Sequence, residues 1–299
     1  MSFGYIPDYK ERSFLKDFYF KIFGYPYPPR RNEAALVFKF LDPKKDDKIL
    51  DIGCGDGVWY LELKKRGMRV MGLDVSGYDL NKLKERAKKL SLKPEVIKAD
   101  AQNMPFESNA FDKAYSISTF EHIEDDKKVF EEVNRILKPK GVLVISVPMK
   151  ETPLLTRIAV RMPKAIKKLL YNEFVKKAEN EEEYLENFNK HYSHYRNYTM
   201  ADIKKRVENY GFEIEKKSYN CRFFGSLIWS LYHTLKIFER HKSSETNYRF
   251  RSETVFALVF PLFYLLFLID RLLFWKKGRI IILRLRKMYE ENTNLNSLN

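Results

Sequence analysis

Between Lys48 and Val147, short apolar runs alternate with longer amphipathic stretches. The apolar runs predict five strands, at Lys48–Ile52, Arg69–Leu73, Glu95–Ala99, Lys113–Ser116 and Val142–Val147. Three intervening stretches carry apolar residues at helical spacing and predict helices at Val58–Lys65, Tyr78–Leu90 and Asp126–Leu137. Strands that alternate with helices are typical of parallel βαβ units. The pattern therefore predicts a doubly wound α/β sheet with a ligand site at the carboxyl ends of its strands.

After Val147 this alternation stops. Basic residues predominate in 150–177 and predict an amphipathic segment within a substrate-side insertion, 150–198. Thr199 and Gly211 bracket a predicted helix, Met200–Tyr210, as its N-cap and its terminating residue. Two alternating segments, Phe212–Tyr219 and Gly278–Lys287, predict the last strands. Residues 1–47, rich in Tyr and Phe, are interpreted as a helical N-terminal cap.

The segment 220–277, between the last two strands, is unusually apolar. It contains Phe223–Phe238 and a fifteen-residue uncharged run, Val255–Ile269. As a helix this run is about 22 Å long, whereas a bilayer core is about 30 Å thick. Basic residues flank both apolar segments, which fits the positive-inside tendency poorly. We therefore predict an apolar helical hairpin lying in a membrane interface, with a buried helical subdomain or a dimer interface as the alternatives.

The bulk composition narrows the class of partner and the compartment. The 299 residues include 55 Lys and Arg against 40 Asp and Glu, for a net charge of +15. This charge suits a polyanion or an anionic membrane surface. Two cysteines provide no disulfide framework and fit a reducing compartment, and residues 1–20 lack the apolar core of a secretory signal. The five histidines and two cysteines are too scattered for metal-ligand spacing, so no metal site is predicted.

The first strand ends in an acid and runs into a glycine turn. Asp51 precedes Gly53, Gly55 and Gly57, and a helical pattern begins at Val58. Such a turn lets a ligand approach the backbone and the amides of the next helix. A dinucleotide fingerprint requires a glycine at the sixth position, where this chain has Val58. The turn therefore predicts a small-ligand site of another kind, and an ordinary strand–helix turn is the alternative.

Acids also end the next two predicted strands. Asp74 comes twenty-three residues after Asp51, and Asp100 follows the third strand. A carboxylate at the second strand suits the two hydroxyls of a ribose. A role for Asp74 in capping the following helix is the alternative.

Taken together, the motifs resemble the class I S-adenosylmethionine-dependent methyltransferases, in the small-molecule branch that includes quinone- and sterol-methylating enzymes. They are the glycine turn with its preceding acid, the acid of the second strand, Asp-Ala after the third, Phe-Asp before the fourth, Glu-His after it, and Leu-Lys-Pro-x-Gly before the fifth. The resemblance implies a Rossmann-like seven-stranded sheet, mostly parallel with an antiparallel last strand. The methyltransferase domain would comprise 48–219 and 278–289, and 220–277 has no counterpart in the family's minimal fold.

The resemblance also implies the cofactor, S-adenosyl-L-methionine, and its binding residues. The acid before the turn would meet the amino end of the cofactor, the glycines its methionine part, the second acid its ribose and the third its adenine. The implied cofactor-binding residues are Asp51, Gly53, Cys54, Gly55, Gly57, Asp74, Val75, Asp100, Ala101, Gln102 and Ser116.

Four residues are candidates for acid–base or substrate chemistry. The imidazole of His122 can exchange a proton near neutral pH, although in many relatives this histidine mainly shapes the cofactor pocket. His194, Arg196 and Tyr198 lie in a segment that resembles one facing the substrate cleft in relatives. A solvated loop capping the next helix is the alternative for that segment.

The sequence favours methyl transfer to a small-molecule or lipid-linked apolar acceptor at a membrane surface. The expected location is cytoplasmic, peripheral or monotopic at the inner face of the membrane, with contact through 220–277 and 150–177. An RNA methyltransferase is one alternative, suggested by the charge but disfavoured because no added nucleic-acid module is evident. A non-catalytic membrane adaptor is the other. The sequence predicts neither the acceptor nor the oligomeric state.

Overall fold

The computed structural model describes residues 28–150, 195–221, 223–228 and 278–288, with single positions at 262, 265, 266 and 269. The strands are β1 (Lys48–Ile52), β2 (Arg69–Asp74), β3 (Val96–Lys98), β4 (Phe111–Ile117), β5 (Leu137–Pro148), β6 (Phe212–Asn220) and β7 (Ile280–Lys287). The α-helices are α1 (Pro28–Leu41), α2 (Val58–Lys65), α3 (Gly77–Lys89), α4 (Asp126–Ile136) and α5 (Met200–Asn209). A short 3₁₀ turn, Phe120–His122, follows β4.

The strands form one seven-stranded sheet in the order β3-β2-β1-β4-β5-β7-β6. The pairs β2–β3, β1–β2, β1–β4 and β4–β5 are parallel, and β7, which lies between β5 and the edge strand β6, runs antiparallel. The predicted Rossmann-like sheet is therefore confirmed. The strand order reverses between β1 and β4, and ligands of such sheets bind beside this point at the carboxyl ends of the strands.

The core lies on both faces of the central strands. All six residues of β5 from Val142 to Val147 are buried, as expected for a strand covered by helices on both sides. Helix α4 buries Val129, Phe130, Val133 and Ile136, one stripe at helical spacing. Asp125 caps this helix by accepting a hydrogen bond from the Lys127 amide.

β5 begins earlier than the sequence predicts. Residues 137–141 carry loop signals, yet Leu137 is buried and pairs with Phe111. The register then shifts, so that Lys113 pairs with Val142. Lys140 adopts a left-handed conformation within this irregular stretch, with φ of +63°. Pairing with β4 thus outweighs the local preference for a loop.

The chain consists of two compact units. One contains Leu36–Val147, Tyr198–Ser218 and the residues of β7 from Ile282, and the glycine turn lies within it. The other includes the first residues of α1 and the segments around Asn220 and Gly278.

In the second unit the two ends of the predicted apolar insert lie side by side. The Arg279 amide donates to the Cys221 carbonyl (3.1 Å), which also accepts from the Ser226 hydroxyl (2.5 Å). A Cβ on Gly278 would lie 2.3 Å from the Asn220 carbonyl oxygen, so the close approach requires glycine. Asn220 itself is buried and accepts from the Asn32 side chain at 2.8 Å. The two ends of the insert are therefore held together, and this junction of Asn220 and Cys221 with Gly278 and Arg279 is called the neck.

Several predictions fall mainly outside the described residues. These are the cap before residue 28, most of the insertion 150–198 and most of the insert 220–277. Within the described part of the chain, no helix has the length and apolar character needed to cross a membrane.

Candidate active site

The glycine turn between β1 and α2 is built from three left-handed residues. Gly53, Gly55 and Gly57 have φ of +76°, +51° and +81°. A Cβ at Gly53 would lie 2.3 Å from Thr119, and one at Gly57 would lie 2.4 Å from Leu83. Among the described residues, no atom lies within 4 Å of the position a Cβ would take on Gly55. The outer glycines are thus required by packing, while the middle one presents bare backbone to open space.

Asp74, at the end of β2, holds this turn. One carboxylate oxygen accepts from the Gly55 amide and the other from the Ser76 amide, both at 2.8 Å. Each oxygen keeps a further lone pair for another donor. Ser76, not Asp74, caps α3, because its hydroxyl accepts from the Asp79 amide at 3.2 Å. The capping alternative for Asp74 is therefore wrong.

Asp51 is a buried acid at the carboxyl end of β1. Only 3% of its surface is exposed, and one oxygen accepts from the Tyr115 hydroxyl at 2.7 Å. The two residues are direct partners in the β1–β4 register. Burial raises the pKa of Asp51 to about 7; the Tyr115 hydrogen bond opposes this rise and the nearby Asp74 charge adds to it.

An arginine of α3 braces the far end of the turn. Arg86 is buried, and its Nη1 contacts both the backbone oxygen (3.0 Å) and the carboxylate (2.9 Å) of Asp56. This pairing joins the turn to the helix behind it, and the short-range sequence pattern gives no signal of it.

The third acid lies on an exposed turn after β3. Asp100 accepts from the Gln102 amide at 2.8 Å and from its side-chain nitrogen, forming an Asx turn. Gln102 in turn accepts from the Asp125 amide at 3.2 Å, which connects this turn to the start of α4. Ala101, between them, is buried.

The remaining predicted cofactor residues have different surroundings. Val75, next to Asp74, is 69% exposed. Ser116 is buried and donates to the Ile52 carbonyl at 2.9 Å, so its hydroxyl joins β4 to β1. Cys54 is buried against Gly72, and burial raises the pKa of its thiol.

The candidate catalytic residues are not equivalent. His122 is exposed at the end of the 3₁₀ turn after β4, where its amide donates to the Thr119 carbonyl at 2.9 Å. Tyr198 is buried and donates to Asp126 at 2.9 Å, and Arg206 contacts the same carboxylate. This network anchors the segment before α5. Arg196 is half-buried, and His194 lies outside the described residues.

These residues match the chemistry of S-adenosylmethionine. A buried carboxylate suits an ammonium group, the bare backbone at Gly55 leaves room for a chain lying along the turn, and the free lone pairs of Asp74 suit hydroxyl donors. Among the described residues, no cluster of three or more histidine, cysteine or carboxylate side chains could hold a metal ion.

Comparison with known proteins agrees with this geometry. Residues 50–145 match the family model described as a methyltransferase domain. This segment is a class I S-adenosylmethionine-dependent methyltransferase domain. The match spans β1 through most of β5 and therefore includes the glycine turn and all three acids. S-adenosylmethionine is accordingly the cofactor of the methyltransferase domain.

The curated relatives of the methyltransferase domain include sterol methyltransferases. Sterol 24-C-methyltransferase ERG6 of Saccharomyces cerevisiae is 31% identical over 150 residues, which is 48% of this chain and 39% of that protein. The uncharacterized protein MJ0638 of Methanocaldococcus jannaschii is 37% identical over 120 residues, covering 40% of this chain and 49% of that protein. The chain thus spans less than half the length of either relative.

Solved structures share the fold of the methyltransferase domain at low identity. The [4+2]-cyclase SpnF matches with a TM-score of 0.56 and 16% identity, over 95% of this chain and 86% of that one. Geranyl diphosphate C-methyltransferase of Streptomyces coelicolor matches with a TM-score of 0.51 and 14% identity, over 94% and 86% of the two chains. Proteins with this fold thus catalyse different reactions, so the fold does not identify the acceptor.

Sequence reasoning missed three residues that shape the methyltransferase site: Tyr115, Thr119 and Arg86. A signal existed only for Tyr115. This tyrosine lies between the small residues Ala114 and Ser116 on a strand predicted to be buried, where a phenol hydroxyl needs a partner. The pairing of β4 with β1 identifies that partner as Asp51.

Proposed function

We propose that this protein transfers a methyl group from S-adenosylmethionine to an apolar, small-molecule or lipid-linked acceptor at a membrane surface. The observation that carries the proposal is the pair of acids, Asp51 and Asp74, converging on the glycine turn. The relatives named as sterol methyltransferases favour an apolar acceptor, although the chain covers less than half of the relatives compared above.

The protein's own contribution to such a reaction is alignment. When bound, the cofactor supplies an activated methyl group on a sulfonium, and holding the acceptor in line with it supplies much of the rate. The acids and the glycine turn would fix the donor. His122, exposed on the turn after β4, would accept a proton from acceptors that must lose one. Arg196 and His194 would serve the acceptor side.

The membrane part of the proposal rests on the neck and on two leucines. Cys221, at the start of segment 220–277, and Arg279, just after its end, are hydrogen-bonded to each other. The segment therefore begins and ends at the same place in the fold. Within it, Leu262 and Leu265 are 57% and 55% exposed at a helical spacing of three. Exposed apolar residues on one helix face, among basic flanks, suit insertion among anionic headgroups.

Activity is tested with the full chain, methyl-labelled S-adenosylmethionine and two acceptor pools. One pool is a total lipid extract and the other is total RNA. Label entering the lipid fraction supports the proposal. Label entering RNA supports the RNA methyltransferase instead, and no label in either pool, from a protein that binds the cofactor, contradicts the apolar acceptor.

Membrane contact is tested by sedimentation with vesicles containing an anionic phospholipid. The wild type should sediment, and the double variant Leu262→Glu/Leu265→Glu should lose most of this binding, because buried charge opposes insertion. Met288→Glu is the matched control, since Met288 is a 43% exposed apolar residue at the end of β7. Equal sedimentation of the wild type and the double variant would contradict this role for the insert.

A further inference from the structure

Burial and the charge of Asp74 both oppose the negative charge of Asp51, and the hydrogen bond from Tyr115 favours it. The titratable groups around it are Tyr115 on β4, Asp74 at the end of β2, Cys54 on the glycine turn and Tyr60 on α2. Asp74 repels a charge on Asp51, and burial removes the water that would solvate it. Tyr115 is the neighbour whose hydroxyl donates to the carboxylate, at 2.7 Å.

Tyr115 is itself held rigidly for this contact. It is fully buried, and Phe38 packs edge-on against its ring with centroids 5.6 Å apart. Its backbone lies directly beside Asp51 in the β1–β4 register. The position of the hydroxyl is therefore set by the sheet and by α1 and not by a mobile side chain.

We propose that Tyr115 is a positioning residue that keeps Asp51 oriented and ionised for the ammonium group of S-adenosylmethionine. This inference rests on the proposed role of Asp51 at the amino end of the cofactor. A hydrogen bond to a charged acceptor is stronger than one to a neutral acceptor, so the phenol favours the ionised acid. Removal of the hydroxyl leaves burial and Asp74 unopposed, and the pKa of Asp51 rises further.

The test compares two ligands across pH by calorimetric titration of the full chain. S-adenosylhomocysteine carries the ammonium group, whereas methylthioadenosine keeps the nucleoside and sulfur but lacks the amino acid part. At pH 6.5, Tyr115→Phe should weaken S-adenosylhomocysteine binding about tenfold, the loss expected for one hydrogen bond to a charged group. The ratio of wild-type to variant affinity should narrow to about threefold or less at pH 8.5, where Asp51 ionises in more of the variant.

Methylthioadenosine should bind the wild type and Tyr115→Phe within about twofold at both pH values, because it has no group for Asp51. The matched control is Tyr60→Phe. Tyr60 is also fully buried, but its hydroxyl contacts the backbone of Val70 and Glu95 and not Asp51. This control variant should show no pH-dependent loss of affinity for S-adenosylhomocysteine.

The outcomes separate the inference from the proposed function. Equal losses for both ligands, or a loss that does not vary with pH, would overturn the positioning role and indicate a structural one. Unchanged binding in Tyr115→Phe would overturn it as well. If the wild type binds neither ligand, the cofactor assignment fails. Thermal unfolding of each variant checks that Tyr115→Phe is folded when titrated.

Discussion

Replacing Asp51 by asparagine should stabilise the ligand-free protein at pH 8 while weakening its cofactor site. The acid is buried, and its pKa is raised from 3.8 to about 7. The folded state therefore holds the proton more tightly than the unfolded state does. The favourable contribution of protonated Asp51 is complete below pH 3.8 and is lost as the pH rises through 7. Asparagine is neutral throughout and escapes this loss.

The magnitude follows from the pKa. The increase of about three in the pKa of Asp51 lowers the free energy of unfolding by an amount on the order of 4 kcal/mol once Asp51 is fully ionised. At pH 5 the wild type already carries part of it. The stability difference between Asp51→Asn and wild type should therefore grow by about 2 to 3 kcal/mol from pH 5 to pH 8. The asparagine amide needs a new partner, which costs about 1 to 3 kcal/mol at both pH values and leaves the trend intact.

The assay is urea unfolding of the ligand-free full chain, followed by circular dichroism at both pH values. Asp46→Asn serves as the control, because Asp46 is exposed on the loop before β1 and its replacement should change stability by less than about 0.5 kcal/mol. A difference between Asp51→Asn and wild type that stays constant from pH 5 to pH 8 would refute the reasoning. It would mean that ionising Asp51 costs the fold nothing.

Two further predictions concern the glycine turn and α5. Gly57→Ala should cost about 2 to 4 kcal/mol, because its Cβ overlaps a packed leucine at positive φ. Gly55→Ala should cost only about 1 kcal/mol yet weaken S-adenosylhomocysteine binding more than tenfold, since its Cβ enters the open space over the turn. Thermal unfolding and calorimetric titration measure the two effects, and equal stability losses would contradict this division of roles. Thr199→Ala should cost about 1 kcal/mol in urea unfolding by removing the capping box with Asp202, and Thr199→Ser should restore it. If serine is no better than alanine, the cap is not the source of the loss.

Local sequence information predicted the elements best where a short pattern determines them. β1 and α2 were predicted with the bounds that the structure has, because an apolar run, a glycine turn and an amphipathic stretch follow one another within twenty residues. The predicted sheet was confirmed because a chain of alternating strands and helices can adopt only a few sheet topologies.

The contacts within the site depend on pairing between distant residues, which sequence spacing does not reveal. The Ser116 hydroxyl, predicted to bind cofactor, donates to the Ile52 carbonyl sixty-four residues away. Asp74 was predicted from its position at a strand end, but its hydrogen bond to Gly55 requires the β1–β2 register. Tyr198 was expected at the substrate, and its hydroxyl is engaged by Asp126. Such side chains stabilise the structure of the site through hydrogen bonds, in addition to lining it.

The central claim is that the acids and the glycine turn form a binding site for S-adenosylmethionine, and titration calorimetry of the full chain with this ligand tests it most directly. We predict saturable binding at one site per chain, with at least tenfold weaker binding in Asp74→Ala, because this change removes the carboxylate that holds Gly55 and would meet the ribose. Folded wild-type protein that releases no heat of binding at millimolar ligand would contradict the account.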